Sequence, residues 1–145
     1  MRKEMIVVAA LLVLSGCMAI PRKDNPSAYT LAFVQDAIRY YDREGRQAMI
    51  DRYSSPDSLD GQWYLFVISE ENRIIAHYDP ARMGADNLLF ADSTGYQVGK
   101  VVAETTEQGQ WLTYFALNPE TGQDARKHAW VIRHDGIIFG AGWYE

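Results

Sequence analysis

A chain of 145 residues with 48% aliphatic and aromatic residues and 23% charged residues has the size and balance of one folded domain, not of a pair or of a disordered tail. The formal net charge of −5, with no clustered Lys or Arg, excludes a nucleic-acid partner. A single Cys excludes an internal disulfide framework and a Cys-based zinc site, and three His leave little for a metal centre.

The chain opens with Arg2 and Lys3, followed by the uncharged run Met5 to Leu14. A basic start and a short apolar core have the proportions of a secretory signal peptide, and the core is shorter than the roughly 20 residues that span a bilayer. The next residues, Leu14-Ser15-Gly16-Cys17, resemble the bacterial lipobox, in which small residues precede a Cys that is lipidated and becomes the new N-terminus. The other reading is an ordinary signal peptide with a chance Cys. The lipobox reading divides the chain into a signal peptide over 1–16, a tether over 17–27 and one domain over 28–145. It makes the protein a lipoprotein held on the extracytoplasmic face of a membrane by acyl chains on Cys17. Met18, rather than Asp, after that Cys leaves the outer membrane open as a destination.

Ala19 to Ser27 carry two Pro and mixed charges and read as the tether. Leu31, Val34, Ile38 and Tyr41 recur at spacings of three and four, which predicts a helix with Ser27 as its N-cap. Gly45 interrupts it, Ala48, Met49 and Tyr53 resume a second short helix, and Ser55-Pro56 ends that one. The period then changes: Trp63 to Ile68 is a β-rich apolar run, Glu70 to Asn72 a turn, and Arg73 to Tyr78 the returning strand. A helical piece is expected near Ala81 to Met83, a turn over Asp92 to Gly95, and a helix over Val98 to Gln108 stopped by Gly109. Three strands follow, Trp111 to Leu117, Ala125 to His134 and Ile137 to Tyr144. The last two are joined by Asp135-Gly136, a strong signal for a type I′ hairpin. The expected fold is α+β: N-terminal helices packed on a five-stranded antiparallel sheet.

Several stretches, in order, resemble single Cache domains, the extracytoplasmic sensor modules of bacterial chemoreceptors and histidine kinases. They are Asp60 to Val67, Ile74 to His77, Gly109 to Tyr114, Asn118-Pro119, Lys127 to Val131 and Asp135 to Tyr144. The resemblance implies a PAS-like fold and non-covalent binding of a small organic acid or amino acid, often a short carboxylate such as acetate, propionate or pyruvate. It also implies signal transduction, as in chemotaxis, through a receptor or kinase partner, because nothing in this chain resembles an output region. It allows a homodimer through the first helix. No cofactor and no catalysis are expected, since no nucleophile elbow or other catalytic constellation is present.

A carboxylate needs a cation or several donors facing a partly apolar pocket. The resemblance places a Lys at position 127, so Lys127 is the candidate charge; its other reading is a solvated Lys near a strand end. Tyr114 and His77 are candidate neutral donors, with a core aromatic and a satisfied strand-end histidine as the alternatives. Trp63, Tyr64, Trp111 and Trp130 are candidate pocket walls, at least two of them expected to be plain core. Lys127 and Trp130 differ by three, so a regular strand cannot aim both into one pocket, and Lys127 ranks first. A Cache-fold lipoprotein that has lost its ligand and serves as a protein-interaction module is the alternative function.

Overall fold

The computed structural model describes residues 19–145, so the signal peptide and Cys17 lie outside the described residues. The first helix, α1 (Pro26–Glu44), begins inside the expected tether. Its N-cap is Asn25, not Ser27: the Asn25 carboxamide oxygen accepts from the Ala28 amide, and Pro26 takes the first helical position, where no N–H is needed. Gly45, at φ 90°, ends α1 and starts α2 (Arg46–Tyr53).

The sheet has five strands among the described residues, in the order β2-β1-β5-β4-β3 with every neighbouring pair antiparallel. These are β1 (Phe66–Ile68), β2 (Ile74–Ala76), β3 (Gln110–Leu117), β4 (Asp124–His134) and β5 (Ile137–Tyr144). The β4–β5 turn has Asp135 at φ 51° and Gly136 at φ 81°, the two positive φ angles that a type I′ turn requires.

Strands β1 and β2 are shorter than the apolar runs that predict them. Asp60 and Trp63 exchange both backbone hydrogen bonds across Gly61, so the chain turns tightly just before Tyr64 and strand pairing starts only at Phe66. The Gln62 side chain then accepts from the Tyr144 amide, capping the end of β5 that a longer β1 would have paired. On the far side of β2, the loop at Gly84 and Ala85 exchanges two backbone hydrogen bonds with Ile74 and covers the sheet edge.

The third helix, α3 (Val98–Ala103), stops five residues earlier than the apolar pattern suggests. The Arg133 guanidinium donates to the carbonyls of Ala103, Thr105 and Gly136, each at 2.9 Å, and so satisfies the groups a helix terminus leaves open. Short 3₁₀ turns at Pro80–Arg82 and Asn87–Leu89 carry the chain from β2 across the sheet face opposite α1.

Two cores result, one on each face of the sheet. Helices α1 and α2 bury Val34, Ala37, Ile38 and Met49 against Val67, Ile137, Phe139 and Ala141. Val34 and Ile38 are therefore used inside the chain, and only Leu31, at 41% exposure, remains of the stripe offered for a homodimer. The opposite face gathers Tyr64, Phe66, Ile68, Val98, Val102, Leu112 and Tyr114. No helix among the described residues is long and apolar enough to cross a membrane.

Two strand glycines make the second face possible. A Cβ on Gly140 would lie 2.2 Å from the Phe66 ring, and one on Gly142 would lie 2.7 Å from Lys127 Cε and 2.6 Å from the His128 carbonyl. Glycine inside a strand marks such close approaches. Gly140→Ala forces Phe66 out of its seat and is expected to lower stability by about 1–3 kcal/mol, read as a lower urea midpoint at unchanged slope. An unchanged midpoint would show that the ring relocates freely.

Candidate functional site

Alternation along β3, β4 and β5 sends Leu112, Tyr114, Lys127, Ala129 and Tyr144 to the face away from α1. There the sheet floors a cavity of about 260 Å³, walled by Tyr64, Phe66, Tyr114, the loop at His77 to Asp79, and α3. Arg82 stands at its mouth, with the guanidinium 5.2 Å from the Phe90 ring centroid.

Lys127 is completely buried. Its ammonium donates to the Tyr64 hydroxyl at 2.8 Å and lies 4.0, 5.1, 5.5 and 5.8 Å from the ring centroids of Tyr64, Phe66, Tyr144 and Tyr114. Among the described residues no carboxylate pairs with it. Cation–π contacts in a desolvated setting return about 2 kcal/mol, whereas a buried ion loses several kcal/mol of hydration. The rings soften the burial of this charge without cancelling it. Tyr64, Phe66 and Tyr114 form both the cage and the cavity wall, so the ammonium sits immediately behind that wall.

A proton-donor chain fixes the hydroxyls. Tyr144 donates to the Leu117 carbonyl at 2.8 Å, so its oxygen accepts from Tyr64 at 3.2 Å, and Tyr64 in turn accepts from Lys127. Burial pushes the Tyr64 phenol up, but the Lys127 charge and its hydrogen bond outweigh that and hold it below its usual value. Tyr114 and Tyr144 are pushed up, chiefly by burial and then by Tyr64, and the Arg82 charge only partly opposes this at Tyr114.

His77 stacks on Tyr78 and accepts the Asp79 amide proton at Nδ1, 3.0 Å away, which puts the proton of the neutral ring on Nε2. Burial, then the charges of Lys127 and Arg82, push its pKa down to about 4, so it is neutral at pH 7. The polar end of the cavity thus holds donors without partners among the described residues, His77 Nε2–H, the Tyr114 hydroxyl and the Arg82 guanidinium, with the Lys127 ammonium behind the wall. Three acids also line the cavity, and each accepts hydrogen bonds from the protein: Asp79 from the Ala81 amide, Asp92 from the amides of Thr94, Tyr96 and Phe115, and Asp124 from the Ser93 hydroxyl. Such a site is matched by a group that only accepts, and a carboxylate is one.

The structure brings together four of the seven residues proposed from sequence: Lys127, Tyr64, Tyr114 and His77. Trp63, Trp111 and Trp130 do not wall the cavity. Trp63 precedes Tyr64 and faces α1, donating from its indole to Thr30 at 2.9 Å. Trp111 and Trp130 pair with each other on the opposite sheet face, with Trp111 41% exposed. Parity separates Trp130 from Lys127 and equally separates Trp111 from Tyr114. Sequence reasoning missed Arg82, Tyr78, Phe66 and Phe90. Gly140 and Gly142 were the available signal for Phe66 and for a close-packed Lys127; the other three lie on irregular backbone, where no period exists to read.

A second concavity of about 470 Å³ lies between α1 and the turn before β1. Its charges are largely matched internally, with Asp60 held by Lys23 and Tyr29, Asp36 by Arg39, and Arg52 stacked 4.5 Å over Tyr40. It offers no comparable set of free donors.

The fold matches three solved sensor domains. A methyl-accepting chemotaxis protein from Vibrio parahaemolyticus shares 19% identity over 85% of this chain and 88% of that one, at a TM-score of 0.67. A Cache chemosensory domain, solved as the structural basis for carboxylic acid recognition, shares 18% identity over 81% and 92% at 0.66. The periplasmic sensor domain of a chemotaxis protein shares 21% over 79% and 86% at 0.62. No family model and no curated protein matches the chain. At these identities the likeness establishes the fold, which is the α+β Cache fold expected from the sequence.

The His77 environment sets a pH dependence. Its pKa is depressed in the folded state, so the unfolded chain binds the proton first. Stability is full above about 6.5 and falls as pH drops toward about 4, by on the order of 3 kcal/mol in all. Urea midpoints measured from pH 7 to 4 should drop in the wild type and fall less steeply in His77→Gln. Parallel profiles would assign the loss to other groups.

Proposed function

We propose that this protein is an extracytoplasmic sensor domain that binds a small organic carboxylate reversibly and without chemical change. One observation carries the reading: a fully buried ammonium with no carboxylate partner among the described residues, placed directly behind the wall of a donor-lined cavity. An incoming carboxylate supplies the missing negative charge and accepts from Tyr114 and His77, and the hydrogen-bonded Tyr64 and Tyr144 pass the change into β5. The fold shared with chemotaxis sensor domains supports the sensing role, and the carboxylic acid recognised by one of those domains supports the ligand class. The lipobox-like Leu14 to Cys17 supports a lipid anchor, with the binding signal passed to a separate membrane partner. A ligand-free docking module fits less well, because such a module has no use for an open cavity beside an unpaired buried charge.

The test is thermal unfolding of the purified protein against a panel of short carboxylates and amino acids. A ligand at about 100 times its Kd stabilises the fold by roughly 2.7 kcal/mol, a shift of several degrees for a domain of this size. Lys127→Met should abolish the ligand-dependent shift while leaving the free protein as stable as the wild type or more so, because a buried charge is replaced by an apolar group. A panel with no shift, or an undiminished response in Lys127→Met, would contradict the proposal.

A further inference from the structure

The cavity is divided along its length. The end nearest the Lys127 ammonium is polar, lined by Tyr64, His77 and Tyr114. Along β5 the register places Lys127 beside Tyr144, Phe66 beside Gly140 and Ile68 beside Ile138. The Lys127 side chain runs past Gly142 and brings its ammonium within 5.1 Å of the Phe66 ring centroid, so the Ile68 row lies two residues, roughly 7 Å, beyond the charge. Beyond Phe66 the buried walls are the apolar Ile68, Ile74, Val98 and Val102, joined by Asn87, whose side-chain amide donates to the Gly99 carbonyl. Water held there has too few polar partners. At about 260 Å³ the space is close to the lower end of the roughly 300–1,000 Å³ of small-molecule sites, and far more than a two-carbon acid fills.

Resting on the carboxylate reading above, we infer that the ligand is an amphipathic monocarboxylate. Its acid group meets the Lys127 end, and an apolar body of about four to six carbons lies against Ile68, Ile74, Val98 and Val102. The specificity of the site then resides in α3 and the β1–β2 hairpin, and acetate is a poor ligand.

Calorimetric titration of the purified protein with sodium acetate, butyrate, hexanoate and octanoate, with hexylamine as the charge control, tests the inference. Affinity should rise about fourfold per methylene from acetate to hexanoate, level off at octanoate, and be undetectable for hexylamine. In Val102→Phe, which fills the apolar end, the gain from butyrate to hexanoate should disappear. Acetate binding as tightly as hexanoate would overturn this inference and leave the carboxylate reading standing. Hexylamine binding as well as hexanoate, or no binding by any acid, would overturn both. The wild-type series decides the matter even where Val102→Phe does not fold.

Discussion

The site depends on one unbalanced charge. Lys127 is the fourth residue of β4, and its neighbours in the register bind its orientation to the sheet: Tyr114 on one side and Tyr144 on the other. Gly142 leaves room for its methylenes, and Gly140 lets Phe66 lie flat beside the ammonium. Four aromatic rings and one phenolic oxygen then surround the charge without neutralising it. A charge in that position is a standing deficit in the free protein, and an anion is the group that removes it. The same low-dielectric surroundings that penalise the lone ion strengthen its attraction for any anion brought close to it.

The rest of the fold holds that arrangement open. Helices α1 and α2 occupy the opposite sheet face with a dense core of their own, so the cavity face does not have to provide all of the stability. The cavity roof, by contrast, is built from short pieces. The loop ahead of α3 is tied to β3 through Asp92, which accepts from the amides of Thr94, Tyr96 and Phe115. Arg133 reaches across from β4 to end α3 and fix the hairpin turn at Gly136. Few long-range strand pairings restrain this roof, and segments of that kind open locally at low free energy.

The two halves of the fold differ in how well the sequence announces them. Strands β3 and β4 follow from alternation, and β5, buried on both faces, follows from Asp135-Gly136, a turn chemistry that few other conformations accept. The run Trp63 to Ile68 carries no such instruction. Buried on both faces, it reads as a six-residue strand, yet long-range bonds from Thr30 and Tyr144 to Trp63 and Gln62 turn its first half into a cap. The end of α3 is likewise set by an arginine thirty residues away. For the site, parity on β3 and β4 selects Lys127 and Tyr114 and rejects their tryptophan neighbours. Arg82, Tyr78 and Phe90 come from turns whose position in space is fixed only by the folded sheet edge.

The most direct measurement of the central claim is a crystal structure of the protein grown with butyrate. The account predicts one butyrate in the cavity, its carboxylate within hydrogen-bond distance of Tyr114 and His77 and facing the Lys127 ammonium, with its methyl end toward Ile68 and Val102. A butyrate bound in the groove between α1 and the turn before β1, or a cavity closed by its own side chains, would contradict it.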